Sequence, residues 1–366
     1  MSSAIGAMRA VKIERYGSAE DVLVLSRDTP VPQPADDEIL VKVKATAINP
    51  VDCVAREGYG RNIFSTLWGD LPLILGRDIS GVVAATGRNV TEFSPGDEVY
   101  AAPPIGCYAE YATVKAEHAA LKPRNVSHQE AASLPFVALT TWVALVDKAD
   151  LNADNCAGRK IVIPRAAGGV GSFAVQLMKS WGAYVTGICS SRNVELVKRL
   201  GADEVIDYSK QDFTELLSDY DAAFDTIGKP SDFETMRGKG YIEGVEDDFD
   251  EKLLSVLKKH AGAVYVTICS PKMTLTDQYG LDEGVRLAEE IFQKRAEVQR
   301  RYGRCYFWSF FNPNGQALEA ITSLVEANKI RPVVDRVYSL EEMVAAHKYC
   351  ETGQAQGKIV INISGD

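Results

Sequence analysis

Lys160-Ile161-Val162-Ile163-Pro164-Arg165-Ala166-Ala167-Gly168-Gly169-Val170-Gly171 is the stretch that decides how this chain is read. Lys160 to Ile163 make a short, mostly apolar run of the kind that forms a buried strand. A turn of small residues follows. Beyond it Val170, Phe173, Ala174, Leu177, Met178 and Trp181 recur at the spacing of one helix face. Strand, Gly-rich turn and helix, in that order, are the setting in which such a turn cradles a dinucleotide. Written as GxGxxG, the pattern starts at Ala166 instead of glycine. Gly168 lets the backbone approach a pyrophosphate, Val170 opens the helix, and Gly171 lets helix and strand pack. The helix N-terminus offers free N–H groups. An ordinary β–α turn can carry the same glycines, so the frame around the motif has to decide.

That frame alternates. Tyr184 to Cys189 reads as a second strand, and Val194 to Leu200 as a second helix closed by Gly201. Strand-like runs follow at Glu204–Tyr208, Ala222–Asp225, Val264–Ile268 and Cys305–Phe310. The pattern predicts an α/β fold, a doubly wound parallel sheet. Residues before about 140 read differently. Apolar residues from Val41 to Ala47 alternate with Lys42, Lys44 and Thr46, and a Ser94-Pro95-Gly96-Asp97 turn separates two further strand-like segments. Short strands punctuated by Pro and Gly suggest a barrel-like β unit. In the tail, Pro332 is expected to stop the helix carrying Leu318, Ile321 and Leu324. Ser339 and Glu342 form a capping box, and Lys358 to Ile363 a last strand that rejoins the first unit. A chain of 366 residues predicts two domains. We place residues 1–140 and 331–366 in the β unit and 141–330 in the nucleotide unit. The acidic run Glu246 to Glu251 is read as the solvated start of a helix.

The end of the second strand discriminates between nicotinamide cofactors. An enzyme preferring NAD carries an acidic residue there for the ribose hydroxyls. Here the stretch is Cys189-Ser190-Ser191-Arg192. Two hydroxyls can donate and Arg192 can pair with a phosphate dianion, which predicts NADPH. Arg192 as a surface residue at a helix start is the alternative. Asp225 and Thr226 end the fourth strand, where ligands of open α/β sheets sit, and are expected to flank the nicotinamide.

Bulk properties exclude several classes. The formal charge of −10 gives no electrostatic footprint for nucleic acid. The apolar stretch Ala131 to Val146 is short for a membrane span and is interrupted by Pro135, Thr140 and Thr141. Seven cysteines are scattered without a CxxC pair and read as reduced thiols. No transit peptide is visible before Met8, so a full-length chain would be cytoplasmic.

Gly168-Gly169-Val170-Gly171, with Leu139-Thr140-Thr141-Trp142 before it, Gly201-Ala202-Asp203 after it, Asn49-Pro50-Val51-Asp52 near the front and Gly357-Lys358-Ile359-Val360 at the end, resembles the quinone oxidoreductase branch of the medium-chain dehydrogenase/reductases. Gly76-Arg77-Asp78-Ile79-Ser80-Gly81 and Tyr306-Phe307-Trp308-Ser309-Phe310-Phe311 are similar to the reticulon-interacting mitochondrial subfamily. The resemblance covers nearly the whole chain. It implies a GroES-like β-barrel catalytic domain with a Rossmann domain, NADPH, a homodimer, mitochondrial residence, a link to ubiquinone biosynthesis and a reticulon-type partner. It also implies that Thr140 lies near the cofactor and that the Tyr208 hydroxyl reaches the adenosine phosphate. Zinc-dependent members hold metal with Cys and His. Here Asn49, Asp52 and Arg77-Asp78 stand at the matching places, so no metal site is expected.

Without a metal to polarise a carbonyl, hydride delivery is easiest to a conjugated acceptor, which spreads the charge into an enolate or hydroquinone anion. The expected substrate is a quinone or enone. Tyr59, in a Gly58-Tyr59-Gly60 turn that the resemblance turns toward the domain cleft, is the candidate donor to that oxyanion. A turn tyrosine packed on the barrel edge is the equal alternative. Asn49 orients the substrate or the nicotinamide ribose, or caps its own turn before Pro50. Lys358 reads as structural, and His118, His128, His260 and His347 as surface or satisfied core. An enoyl-thioester reductase and an NADPH-binding interaction protein with little turnover remain rival readings.

Overall fold

A computed structural model describes residues 6–229, 232, 248–259 and 262–364. Strand Lys160–Pro164 lies inside a six-stranded sheet. Tyr184–Cys189 and then Glu204–Asp207 extend it on one side; Ala222–Asp225, Val264–Thr267 and Cys305–Trp308 extend it on the other. Every neighbouring pair is parallel. The strand order therefore reverses beside Lys160–Pro164, and the crevice at that switch point is where open α/β sheets bind ligands.

Helix Gly169–Ser180 covers the sheet with Phe173, Ala174, Leu177 and Met178, all buried in one core with Ile161 and Ile163. Burying a side chain of this size contributes about 1.5–3 kcal/mol. Gly187 sits under the motif. A Cβ there would stand 2.5 Å from Val197 Cγ1 and 2.9 Å from Ala166 Cβ, so only glycine allows strand, turn and the next helix to close up.

The longest strand, Glu38–Ile48, is central to a seven-stranded sheet. Ile79–Thr86 and Tyr111–Lys115 pair with it antiparallel, and so does Lys358–Asn362, with Val360 opposite Ala47. Val334–Ser339 continues from there. The tail thus returns to the sheet that begins near the N-terminus. A smaller sheet of Val24–Pro30, Ala7–Ile13 and Leu73–Ile74 shares its core through Val11, Ile13, Ile39 and Val41.

Two expectations need correction. The helix carrying Leu318 and Ile321 ends at Glu326, and the chain reverses at Asn328, which adopts φ 58°, before Pro332 is reached. Of the acidic run, Glu246 and Asp247 lie outside the described residues, while Asp250 on helix Phe249–Ser255 is buried, its Oδ1 without a partner among the described residues, and is not solvated. The helical run His128–Lys148 is long and apolar enough to cross a membrane by composition, but 72% of that window is buried inside the fold, so it is a core helix. Residues 140 and 141 both lie in helix Pro135–Trp142. The seven cysteines form no disulfide.

Candidate active site

The cradle follows from what each small residue permits. Gly168 N donates to Arg165 O (2.8 Å), closing the turn, and Gly168 caps the helix that begins at Gly169. A Cβ on Gly171 would lie 2.2 Å from Arg165 O, so no side chain fits. A Cβ on Gly169 would press Lys358 Cδ and Val137 Cγ1 at 3.0 Å, whereas one on Gly168 would meet only Arg165 O at 3.3 Å. Ala166 is buried, and its N donates to Ile188 O (3.1 Å), so its methyl is compatible with the first position of the motif. The N–H groups of the first helical turn, Gly169, Val170 and Gly171, have no acceptor within the helix and face the strand ends. This cradle fits a dinucleotide pyrophosphate. Bound there, the nicotinamide supplies a hydride.

At the adenosine end the structure adds a residue that the sequence did not single out. Cys189 pairs with Asp207 across the parallel ladder, and Ser191 Oγ donates to Asp207 Oδ2 (2.5 Å). A carboxylate therefore does stand beside the second strand's end, contributed by the third. Ser209 Oγ (2.7 Å) and Lys210 Nζ (3.1 Å) also hold it, and these bonds keep its pKa well below the usual carboxylate range. Ser190 caps the short helix Ser191–Asn193 and accepts from Asn193 Nδ2 (3.1 Å). Arg192 is exposed and donates to Gln354 O (2.8 Å), tying the motif to the loop before the last strand. Tyr208 is 63% exposed, immediately past Asp207.

The nicotinamide-side candidates separate. Asp225 is buried and its carboxylate accepts from Tyr265 Oη (2.5 Å), Ile227 N (2.8 Å) and Gly228 N (3.0 Å). Burial raises its pKa despite these bonds. It holds the turn after its strand, its oxygens engaged by Tyr265, Ile227 and Gly228. Thr226 Oγ1 donates to Pro164 O (3.1 Å), clamping the strand ends at the switch point. Thr140 is buried and spends its proton on Phe136 O (2.7 Å) within its own helix.

Asn49 is 1% exposed. Its Oδ1 accepts from Lys358 Nζ (2.5 Å), and its Nδ2 donates to Asp78 Oδ2 (2.8 Å). It also stands at the start of helix Pro50–Arg56 in a capping box with Asp52, the turn-capping alternative, while Lys358 and Asp78 hold its amide. Lys358 also reaches Ile48 O (3.0 Å) and Asp78 (3.2 Å), while Asp78 Oδ1 accepts Phe136 N (2.7 Å). Asp52 accepts from Asn49 N (2.9 Å) and Tyr108 Oη (3.2 Å); burial raises its pKa, with Arg77 opposing. A zinc ion does not suit this set. The carboxylate oxygens are already taken by N–H and O–H donors, two cations stand among them, and among the described residues no three His, Cys, Asp or Glu side chains converge.

Tyr59 sits in a turn between Gly58 (φ 100°) and Gly60 (φ 72°). It is half-buried beside Cys269, which follows strand Val264–Thr267 of the other unit, and burial pushes its pKa up. The phenol is therefore protonated at neutral pH, and its hydroxyl makes no hydrogen bond among the described residues. The nucleotide unit fixes the turn. Asp277, on helix Lys272–Tyr279, accepts from Gly60 N (2.5 Å) and Asn62 N (3.2 Å). Sequence reading missed this clasp because 217 residues separate Gly60 from Asp277. Of the histidines, His128 bonds Ser80 and Glu98, His260 lies outside the described residues, and His347 is buried with Nε2 unpartnered, so it is not a fully satisfied core residue.

A doubly wound sheet with a glycine cradle, joined to an antiparallel β unit that presents polar groups at its switch point, defines a nicotinamide-dependent oxidoreductase. Residues 35–124 match the family described as alcohol dehydrogenase GroES-like domain, and residues 200–361 that described as zinc-binding dehydrogenase. The chain is 38% identical over 369 residues to the human NAD(P)H oxidoreductase RTN4IP1, mitochondrial, spanning 97% of this chain and 89% of that protein. It is 32% identical over 370 residues to the 2-methylene-furan-3-one reductase of Solanum lycopersicum, spanning 97% and 79%. The solved quinone oxidoreductase of Coxiella burnetii superposes with a TM-score of 0.77 at 29% identity, covering 98% of this chain and 99% of that one. The chain belongs to the medium-chain dehydrogenase/reductase family of NAD(P)H oxidoreductases.

Proposed function

We infer that the protein is a zinc-independent, NADPH-dependent reductase of a conjugated carbonyl, a quinone or an enone. The observation that carries this reading is the cluster of Asn49, Asp52, Arg77, Asp78 and Lys358. It puts cations and committed carboxylates where a metal would have to bind, so the acceptor has to disperse its own charge. A tomato relative named for reducing 2-methylene-furan-3-one, itself a conjugated ketone, supports the enone arm. The β unit, residues 1–140 and 331–366, holds the acceptor; residues 141–330 hold NADPH through the cradle of Ala166 to Gly171, with Ser190, Ser191, Arg192 and Tyr208 at the adenosine phosphate and Thr226 and Thr140 toward the nicotinamide. Tyr59 donates to the developing oxyanion. Mitochondrial residence, a homodimer, a reticulon-type partner and a role in ubiquinone biosynthesis rest on the family resemblance alone.

The test is cofactor oxidation, followed by absorbance, with a short-chain quinone and an enone, with and without a chelator. Chelator-resistant oxidation of NADPH in preference to NADH is expected. Oxidation abolished by the chelator, or seen only with enoyl thioesters, would overturn the reading.

A further inference from the structure

Arg77 is the least explained charge in the molecule. It is 7% exposed, yet its Nε has no hydrogen-bond partner. Among the described residues no side chain closes an ion pair with it. The two carboxylates that could have done so are spoken for: Asp78 by Asn49, Lys358 and Phe136 N, and Asp52 by Asn49 N and Tyr108. Three rings hold the guanidinium in their place, with its central carbon 5.1 Å from the Phe64 ring centre, 4.6 Å from Trp68 and 5.4 Å from Phe136. Cation–π contact and the nearby charges of Asp52 and Asp78 supply only part of what a desolvated cation loses, and neither carboxylate gives its Nε a hydrogen bond. A group kept in that state is held ready for an anion.

Its position fits. Phe136 precedes Val137, whose Cγ1 touches the space beside Gly169, where the cradle begins. The Phe136 ring also packs on Phe311 of the nucleotide unit at 4.5 Å. Arg77 therefore lies against Phe136, one residue from the side chain that adjoins the cradle. A guanidinium stays protonated at any working pH and presents its N–H groups in a fixed plane.

We propose that Arg77 is the electrophile of this site, binding the oxygen of a planar conjugated acceptor that lies beside Phe136 and the mutually stacked pair of Phe64 and Trp68. This rests on the reductase reading above. In the step itself, a hydride with its electron pair joins the acceptor carbon and oxidises the nicotinamide. The conjugated π system shifts, and the pair arrives on the carbonyl oxygen as an enolate or hydroquinone anion. Arg77 faces that negative charge, and a proton from solvent or Tyr59 then neutralises it. Arg77 supplies the positive charge that a metal supplies in metal-dependent chemistry.

Two measurements test this, one independent of turnover. The first compares equilibrium binding of 4-nitrophenolate, at alkaline pH, with that of its neutral isostere 4-nitroanisole. The wild-type protein should prefer the anion. Arg77→Met should lose the preference, and Arg77→Lys should keep part of it. The second compares kcat with an enone and with an easily reduced quinone. Arg77→Met should lower it about 100-fold with the enone and less with the quinone, at unchanged NADPH affinity. Arg77→Lys, which keeps a charge facing Asp52 and Asp78, separates loss of the guanidinium from loss of the fold. No anion preference in the wild type, or an equal preference in Arg77→Met, would overturn the proposal. Wild-type protein that prefers the anion yet reduces neither acceptor would leave Arg77 as an anion site and sink the reductase reading instead.

Discussion

The hydroxyl of Ser191 donates to the carboxylate of Asp207 at 2.5 Å, joining the ends of two neighbouring strands at the adenosine end of the cradle. Because that bond spends the serine proton on an acid, the phosphate-binding reading of Ser190, Ser191 and Arg192 meets a nearby negative charge. Asp207→Asn removes the charge and should shift preference toward NADPH over NADH by about tenfold, the scale of one charge-assisted hydrogen bond. Arg192→Asp should shift it the other way. Dissociation constants for both cofactors, measured on both variants, check this. An unchanged NADPH:NADH ratio in both would remove this pocket from cofactor selection.

Lys358 and Asp78 form a buried pair, 280 residues apart in sequence, that closes the last strand onto the first unit. Lys358→Met removes one partner of the buried pair and should cost about 3–5 kcal/mol in urea unfolding. Lys358→Met with Asp78→Asn should recover part of that loss, because the uncompensated charge goes with the lysine. Additive losses in the double variant would show that the two side chains are not coupled.

How much of this was legible in the sequence depended on distance along the chain. Strands Tyr184–Cys189 and Ala222–Asp225 begin and end where the apolar runs do, because strand periodicity is a local property. The cradle was legible for the same reason: Gly171 has to be glycine because of Arg165 O, six residues before it in the same turn. What escaped was brought in from the side. Asp207 reaches Ser191 through strand pairing, and an acid ending the third strand of such a sheet was the signal that could have revealed it. Asn49 looked like a substrate ligand because its burial under Lys358 depends on a strand 309 residues away. Arg77 drew notice within a subfamily motif and as a departure from a metal motif, but not as a buried cation, since the rings that hold it lie on other segments.

Tyr59 lies in a turn clasped by Asp277, with a hydroxyl that no described residue engages. Its phenol, held protonated by burial, is suited to donate to an oxyanion and unsuited to accept a proton. Tyr59→Phe keeps the ring against Cys269 and removes only the donor, so kcat should fall about 100-fold while NADPH affinity holds. Normal turnover would return Tyr59 to a packing role. Asp277→Ala offers a complementary check, since loosening the clasp should raise KM for the acceptor without touching the donor.

His347 ties the stability of the β unit to pH. Burial, with Arg56 beside it, lowers its pKa from the ordinary 6.5 to about 3. Its Nδ1 lies 3.3 Å from Arg56 Nη1, and its ring packs edge-on against Tyr108. In the unfolded chain the same histidine takes up a proton near its ordinary value. Between pH 6.5 and 3 the unfolded state therefore binds one more proton than the folded state at this residue. The stability that His347 contributes is full above that window and is lost as pH falls through it. The expected slope is about 1.4 kcal/mol per pH unit. In His347→Gln, which cannot be protonated, the decline in unfolding free energy from urea titrations between neutral and mildly acid pH should be shallower by that amount. Parallel profiles for wild type and variant would mean that the acid sensitivity of the fold resides in its carboxylates.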